Sequence, residues 1–334
     1  MPEVSAGLII VILLILWAEF VNGWTDAPNA IATVVSTRVL KPIHAVIMAS
    51  SFNFIGALVS LWLGAKVATT IGKGFIVPEA VTMTILGAAM LGIIIFSTIA
   101  WYFGLPTSES HALVAGLAGG AFAAGGIDAL KFDGWIKVLK GLGFSTFLGF
   151  GGGLIIMLLI YVIFKRVMLG KIRGIFGNLQ VLSSAFMAYS HGTNDGQKFM
   201  GVFTLALVMG GVLPEFKIPI YVVVICALVM SIGTAVGGWR IIRTMGYKVT
   251  KLEPVHGFAA ETGAAITIEL ATQLGIPLST THTINTSIMG VGSTRRLSAV
   301  RWGVTANIVT AWILTFPCCA LISYLVTKLV MLFT

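Results

Sequence analysis

The sequence predicts an all-α polytopic membrane protein. It is built as two inverted-topology repeats whose re-entrant or broken helical hairpins meet near the midplane. Three observations predict this. The 334 residues are 57% hydrophobic and only 10% charged, with a mean hydropathy of +1.00. Soluble domains carry about 25% charged residues, so lipid must cover much of this surface. About ten apolar segments are separated by short loops, which leaves no room for a soluble domain. Two short motifs each occur twice, in the same order.

The first segment, about 4–22, has Glu3 and no basic residue before its apolar run, so it reads as an uncleaved span rather than a signal peptide. Further segments lie at about 43–64, 80–103, 107–127 and 139–164. Then come 178–192 with 197–213, 218–237, 255–274, 279–293 and 303–331. All are helices, because a backbone in lipid must satisfy its own hydrogen bonds. The 39 glycines, including the stretch Gly149-Phe150-Gly151-Gly152-Gly153, permit close helix contact.

Internal similarity sets the organisation. Gly104-Leu105-Pro106-Thr107-Ser108-Glu109-Ser110-His111 matches Gly275-Ile276-Pro277-Leu278-Ser279-Thr280-Thr281-His282. The stretch from Gly23 to Asn29 aligns with that from Gly192 to Lys198. Asp26 precedes Pro106 by 80 residues, and Asp195 precedes Pro277 by 82. The chain therefore reads as a first repeat at 1–165, a cytoplasmic linker at 166–174 and a second repeat at 175–334.

Four loops hold most of the 21 lysines and arginines and every arginine. They centre on Arg38, on Lys165 to Arg173, on Arg240 to Lys251 and on Arg295 to Arg301, and they belong in the cytoplasm. The topology then closes only if 80–127 and 255–293 each return to the side they started from. The first hairpin enters from outside and the second from inside. Both termini are external. With five segments, an odd number, the first repeat forces the second to be inverted, a recurrent transporter architecture. The net charge of +9 belongs to these loops, which are too short to form a nucleic-acid face. Cys226, Cys318 and Cys319 read as small core residues.

Six of the twelve acids lie within the apolar segments or at their breaks: Glu19, Asp26, Glu109, Asp195, Glu261 and Glu269. Each costs at least about 2.5 kcal/mol at bilayer depth without a partner. Lys198 is the only Lys or Arg beside the motifs, so these acids are expected to meet cations from solution. At the hairpin tips, Pro106 and Pro277 suit the first turn of a helix. The unpaired N–H groups and hydroxyls there face oxyanions. Two such tips from inverted hairpins would hold one tetrahedral anion. His111 and His282 follow the tips at equal distance and lack metal-site spacing, so they are expected, with Gln197, to hydrogen-bond behind the ligands.

These paired motifs resemble those of the inorganic phosphate transporter (PiT) family, over nearly the whole chain. The resemblance implies an ion-coupled phosphate symporter of the cell membrane with no cofactor. It implies phosphate contacts from Thr107, Ser108 and Ser110 with Ser279, Thr280 and Thr281. It implies that Asp26 and Asn29, with Asn194 and Asp195, help bind the coupling ion. Thr25 stands where the family has asparagine, and its hydroxyl still offers an oxygen; Glu261 keeps a family glutamate, whereas Asn53 replaces one. The oxygen-rich surroundings of both aspartates favour sodium as that ion, with protons the alternative. Glu109 either points away from the anion or serves a cation. The partners are thus phosphate, sodium and the lipid bilayer, and a homodimer is one assembly open to such a chain. Competing readings are a sulfate permease, an anion channel and an intramembrane enzyme using Ser108 with His111.

Overall fold

The computed structural model describes residues 5–74 and 81–333. Glu3, residue 4 at the start of the first predicted segment and residue 80 at the start of the third lie outside them. Among the described residues the chain forms twelve α-helices: α1 (Ala6–Ser36), α2 (Pro42–Val59), α3 (Lys66–Gly74), α4 (Met83–Tyr102), α5 (Glu109–Gly125), α6 (Phe132–Phe164), α7 (Leu169–Met209), α8 (Ile220–Val236), α9 (Trp239–Arg243), α10 (Pro254–Gln273), α11 (Thr280–Ser293) and α12 (Trp302–Met331). Local chemistry starts many of them. Ser5 and Thr82 cap α1 and α4 through their side chains. Pro42 and Pro254 open α2 and α10, and Glu253 and His256 form a reciprocal capping box on α10.

Among the described residues, six helices are long and apolar enough to cross a bilayer: α1, α2, α4, α5 with its following turn, α6 and α12. The stretch 220–248 adds a seventh if its parts, bent by 57° at the break after α8, form one span. By contrast α11, with 14 residues, is about 21 Å long at 1.5 Å per residue, too short to span. It suits a hairpin that turns back.

Several predicted boundaries need correction. The motifs around Asp26 and Asp195 do not break their helices: α1 and α7 run through them without interruption. Pro28 lies inside α1, a position tolerated where neighbouring helices pack tightly. The segment placed at 139–164 begins at Phe132, and α7 begins at Leu169, inside the stretch assigned to the linker. The short α3 fills a stretch read as loop.

The packing exchanges partners in pairs. α5 lies on α12 and α11 on α6; α1 lies on α8 and α7 on α2. Four glycines close the latter contacts. A Cβ on Gly23 would lie 2.1 Å from the Met230 carbonyl oxygen, and one on Gly233 would lie 2.2 Å from that of Phe20. Gly192 and Gly56 stand in the same relation to Asn53 and Tyr189, each at 2.2 Å. Main chain therefore touches main chain at all four places.

Two apolar cores result. One joins Leu8–Ala18 of α1 and Phe199–Leu207 of α7 to α4 and α5. The other joins Ala30–Val35 of α1 and Met187–Ala188 of α7 to α10 and α11. Between them both long helices carry a buried polar layer, at 19–29 on α1 and 190–198 on α7.

Candidate functional site

The two hairpin turns have the same backbone. Gly104 and Gly275 both adopt φ +68°, a left-handed conformation that favours glycine. Each ends its helix with the same bond pair. Gly104 N–H donates to Trp101 O at 2.8 Å and Leu105 N–H to Ala100 O at 3.0 Å. Gly275 N–H donates to Thr272 O at 3.0 Å and Ile276 N–H to Ala271 O at 2.9 Å. This Schellman arrangement satisfies the last carbonyls of α4 and α10. The chain then passes the proline and starts α5 or α11 on a serine cap. Ser108 Oγ accepts from His111 N–H at 3.3 Å, and Ser279 Oγ accepts from His282 N–H at 3.1 Å. Each serine keeps its own hydroxyl proton for another acceptor.

The tips touch: Ser110 Oγ donates to Leu278 O at 3.0 Å. All six tip hydroxyls, from Thr107, Ser108, Ser110, Ser279, Thr280 and Thr281, are buried. The motif residues of α1 and α7 meet them there. Thr281 Oγ1 donates to Asp26 Oδ1 at 3.0 Å, and Thr280 Oγ1 donates to Asp195 Oδ2 at 3.3 Å. Asn29 Nδ2 donates to Thr281 Oγ1 at 3.0 Å. Lys198 Nζ donates to Ser110 Oγ, to Leu278 O at 3.0 Å and to Asp195 Oδ1 at 2.7 Å. Asp195 thus has a cationic partner inside the protein, which corrects the expectation that it meets only cations from solution.

His191 lies between the aspartates and was missed in the sequence. Its Nε2 is 3.7 Å from Asp26 Oδ2 and 3.8 Å from Asp195 Oδ2. Asn53 Oδ1 sits 3.2 Å from its Nδ1 and fixes the ring. One turn of α7 separates His191 from Asp195, and that spacing was the available signal. Each of Asp26, His191 and Asp195 offers one atom within 4.8 Å of the others, a spacing that could hold a cation. Among the described residues, Asp26 Oδ2, His191 Nε2 and Asn194 Oδ1 have no hydrogen-bond partner. A buried polar atom left so costs about 1–3 kcal/mol, which makes these three natural cation ligands or proton partners.

Other sequence-assigned residues lie around this centre. Glu109 points away from the tips: Thr25 Oγ1 donates to it at 2.9 Å and Ser97 Oγ at 2.8 Å. Asn194 Nδ2 donates to Thr272 Oγ1 at 2.7 Å. Gln197 accepts from the N–H of Val67 at 3.0 Å and so ties α7 to α3. His111 and His282 lie behind the tips, tilted by 60° with ring centroids 4.6 Å apart, and His282 stacks on Trp312 at 3.8 Å. Neither ring nitrogen of His282 has a hydrogen-bond partner among the described residues, so it packs there rather than hydrogen-bonding as expected. Trp312 Nε1 in turn donates to Pro106 O at 3.0 Å and holds the first tip. Glu261 is not in the centre. It sits with Thr33, Gln180 and Ser183, all three donating to it.

A multi-pass helical membrane protein with a buried layer of carboxylates, amides and hydroxyls, closed by two facing hairpins, has the layout of a transporter. The particular class follows from its similarities. A model described as the phosphate transporter family matches residues 22–323, and the chain belongs to that family. It is 46% identical to a probable low-affinity inorganic phosphate transporter of Rhizobium meliloti (strain 1021), over 93% of this chain and 92% of that protein. It is 41% identical to one of Bacillus subtilis (strain 168), over 93% and 94%. A solved structure described as the sodium-dependent phosphate transporter superposes with a TM-score of 0.80 at 25% identity, covering 99% of this chain and 100% of that one. The chain is thus a transporter and not an enzyme.

Proposed function

We propose that this protein imports inorganic phosphate across the cell membrane together with a cation, by alternating access. In this reading the chain comprises two repeats of opposite orientation, about 1–165 and 175–334, with both termini external. The observation that carries this reading is the meeting of the two tips: two capped helix starts with six hydroxyls, backed by Asp26 and Asp195. N–H groups and hydroxyls at a helix start suit a tetrahedral oxyanion. Phosphate carries one or two negative charges, and moving each through 100 mV costs about 2.3 kcal/mol. Cations travelling with it remove that cost. Each ligand then binds better in the presence of the other, which is the coupling symport needs.

In this reading Thr107, Ser108, Ser110, Ser279, Thr280 and Thr281 surround phosphate. Asp26, Asn29 and Asn194 serve the cation, with Thr25 in support; Asp195 is held by Lys198, and Glu261 lies outside the centre among its own donors. Sodium is the first choice, because carboxylate and amide oxygens suit a hard cation and the solved relative is described as sodium-dependent. A specific observation favours protons as the second choice. Lys198 occupies Asp195, and an imidazole rather than an oxygen ligand lies between the aspartates.

The test is phosphate uptake by purified protein in liposomes, at equal pH on both sides, with sodium replaced by choline. Collapse of uptake supports sodium, and full uptake driven by a pH gradient alone assigns protons. Equal transport of sulfate would overturn the phosphate assignment.

A further inference from the structure

The third residue after each motif aspartate makes the same reach with a different charge. The repeat register pairs Asn29 with Lys198, and Thr281 with Ser110. Asn29 Nδ2 donates to Thr281 Oγ1 of the other half at 3.0 Å; Lys198 Nζ donates to Ser110 Oγ of the other half. A neutral amide and an ammonium thus hold equivalent tip hydroxyls. At this position the two half-sites differ by one positive charge.

That charge is committed. Lys198 is fully buried and is the sole buried Lys or Arg among the described residues. It pairs with Asp195 Oδ1 at 2.7 Å. Both groups are buried, so parting them would leave two uncompensated charges away from water. Asp26 has no Lys or Arg partner among the described residues. It receives the neutral Thr281 hydroxyl at 3.0 Å and faces His191 at 3.7 Å, and its Oδ2 has no hydrogen-bond partner among the described residues.

We propose that Lys198 is a tethered counter-ion: its ammonium takes the place of an exchangeable cation at Asp195, and one exchangeable cation site remains, at Asp26. This inference rests on the reading of cation-coupled phosphate import. It fixes a specificity of the coupling rather than of the anion. A transporter with an amide at both positions has two bare aspartates to neutralise; this one has a single bare aspartate. One fewer cation therefore crosses with each anion, and the net charge moved per phosphate is lower by one. Lys198 also stays behind when the anion leaves, so the Asp195 half is never left uncompensated.

The experiment measures cations per phosphate from the reversal potential of phosphate flux in proteoliposomes. Sodium and proton gradients are imposed in separate arms, and the wild type is compared with Lys198→Asn. The wild type is expected to move one exchangeable cation at the Asp26 site, with a Hill coefficient for that cation of about one. Lys198→Asn is expected to move one more, with a Hill coefficient rising towards about two. Asp195→Asn with Lys198→Asn removes both charges, leaves no unpaired buried ion and is expected to keep the wild-type stoichiometry. That double variant and the wild-type value decide the matter if Lys198→Asn does not fold. A wild-type Hill coefficient of about two, or an active Lys198→Asn with unchanged stoichiometry, overturns the role of Lys198. Absence of any gradient-driven phosphate uptake by the wild type instead overturns the transport reading beneath it.

Discussion

Two buried carboxylates are treated oppositely: Asp26 on α1, and Glu261 on α10, which meets α1 at Thr33, about two turns after Asp26. Glu261 is surrounded by donors: Thr33 and Gln180 reach one oxygen and Ser183 the other. Asp26 has one hydroxyl on Oδ1, while Oδ2 only faces the imidazole of His191 at 3.7 Å. The first carboxylate is solvated by the protein itself. The second is solvated on one side only, and that side leads through Thr281 to the hairpin tip. The difference teaches where an intramembrane charge is built for exchange: where the protein has withheld donors.

Four substitutions break or sharpen this contrast. Asp26→Asn removes the charge that faces the centre, and about 3 kcal/mol of lost interaction corresponds to roughly a hundredfold loss of uptake. Liposome uptake at saturating phosphate, with folding checked by gel filtration, measures it; wild-type uptake would place the exchangeable charge elsewhere. Ser279→Ala removes one hydrogen bond to the charged substrate, worth about 1.5–3 kcal/mol, so phosphate affinity should fall about tenfold or more. Competition binding reads this directly, and unchanged affinity means that the hydroxyl faces away from the anion.

Glu261→Gln sets an amide N–H₂ against groups that now donate. The expected result is a stability loss of about 1–3 kcal/mol, seen by thermal denaturation in detergent, with the cation dependence of uptake retained. Loss of cation dependence instead would move Glu261 into the coupling site. Thr33→Val removes one of three donors to Glu261 and should cost only about 1 kcal/mol, with uptake within twofold of wild type. If Thr33→Val matched Asp26→Asn, the two carboxylates would not be separate systems.

Much of this centre was legible in the sequence, because each hairpin tip repeats glycine, proline, serine and histidine at fixed spacing. The glycine supplies the left-handed turn, the serine the cap and the histidine a ring behind it. The course of α1 and α7 was not legible. Glycine, threonine, aspartate and proline together signal a break in water. Here close packing against α8 and α2 keeps the helices intact. His191 escaped notice because it stands one place before the repeated motif, where the first repeat has Asn22. Lys198 was visible as a lone cation, but only the fold shows that it turns onto Asp195 and the first tip rather than to solvent. Glu261 was grouped with the aspartates from its chemistry alone; α10 places it beside Gln180 and Ser183 instead.

The four glycines that let α1 meet α8 and α7 meet α2 have a consequence for how this chain can change. At Gly23, Gly56, Gly192 and Gly233 the atom that a side chain would strike is a carbonyl oxygen of the facing helix. Every residue type carries that oxygen. An overpacked side-chain contact can be relieved by trimming the neighbour, but no substitution on the facing helix trims a carbonyl. These positions therefore have no partner that can compensate for them. In a library of double variants, alanine at Gly192 should find no rescuing replacement at Asn53, and alanine at Gly56 none at Tyr189.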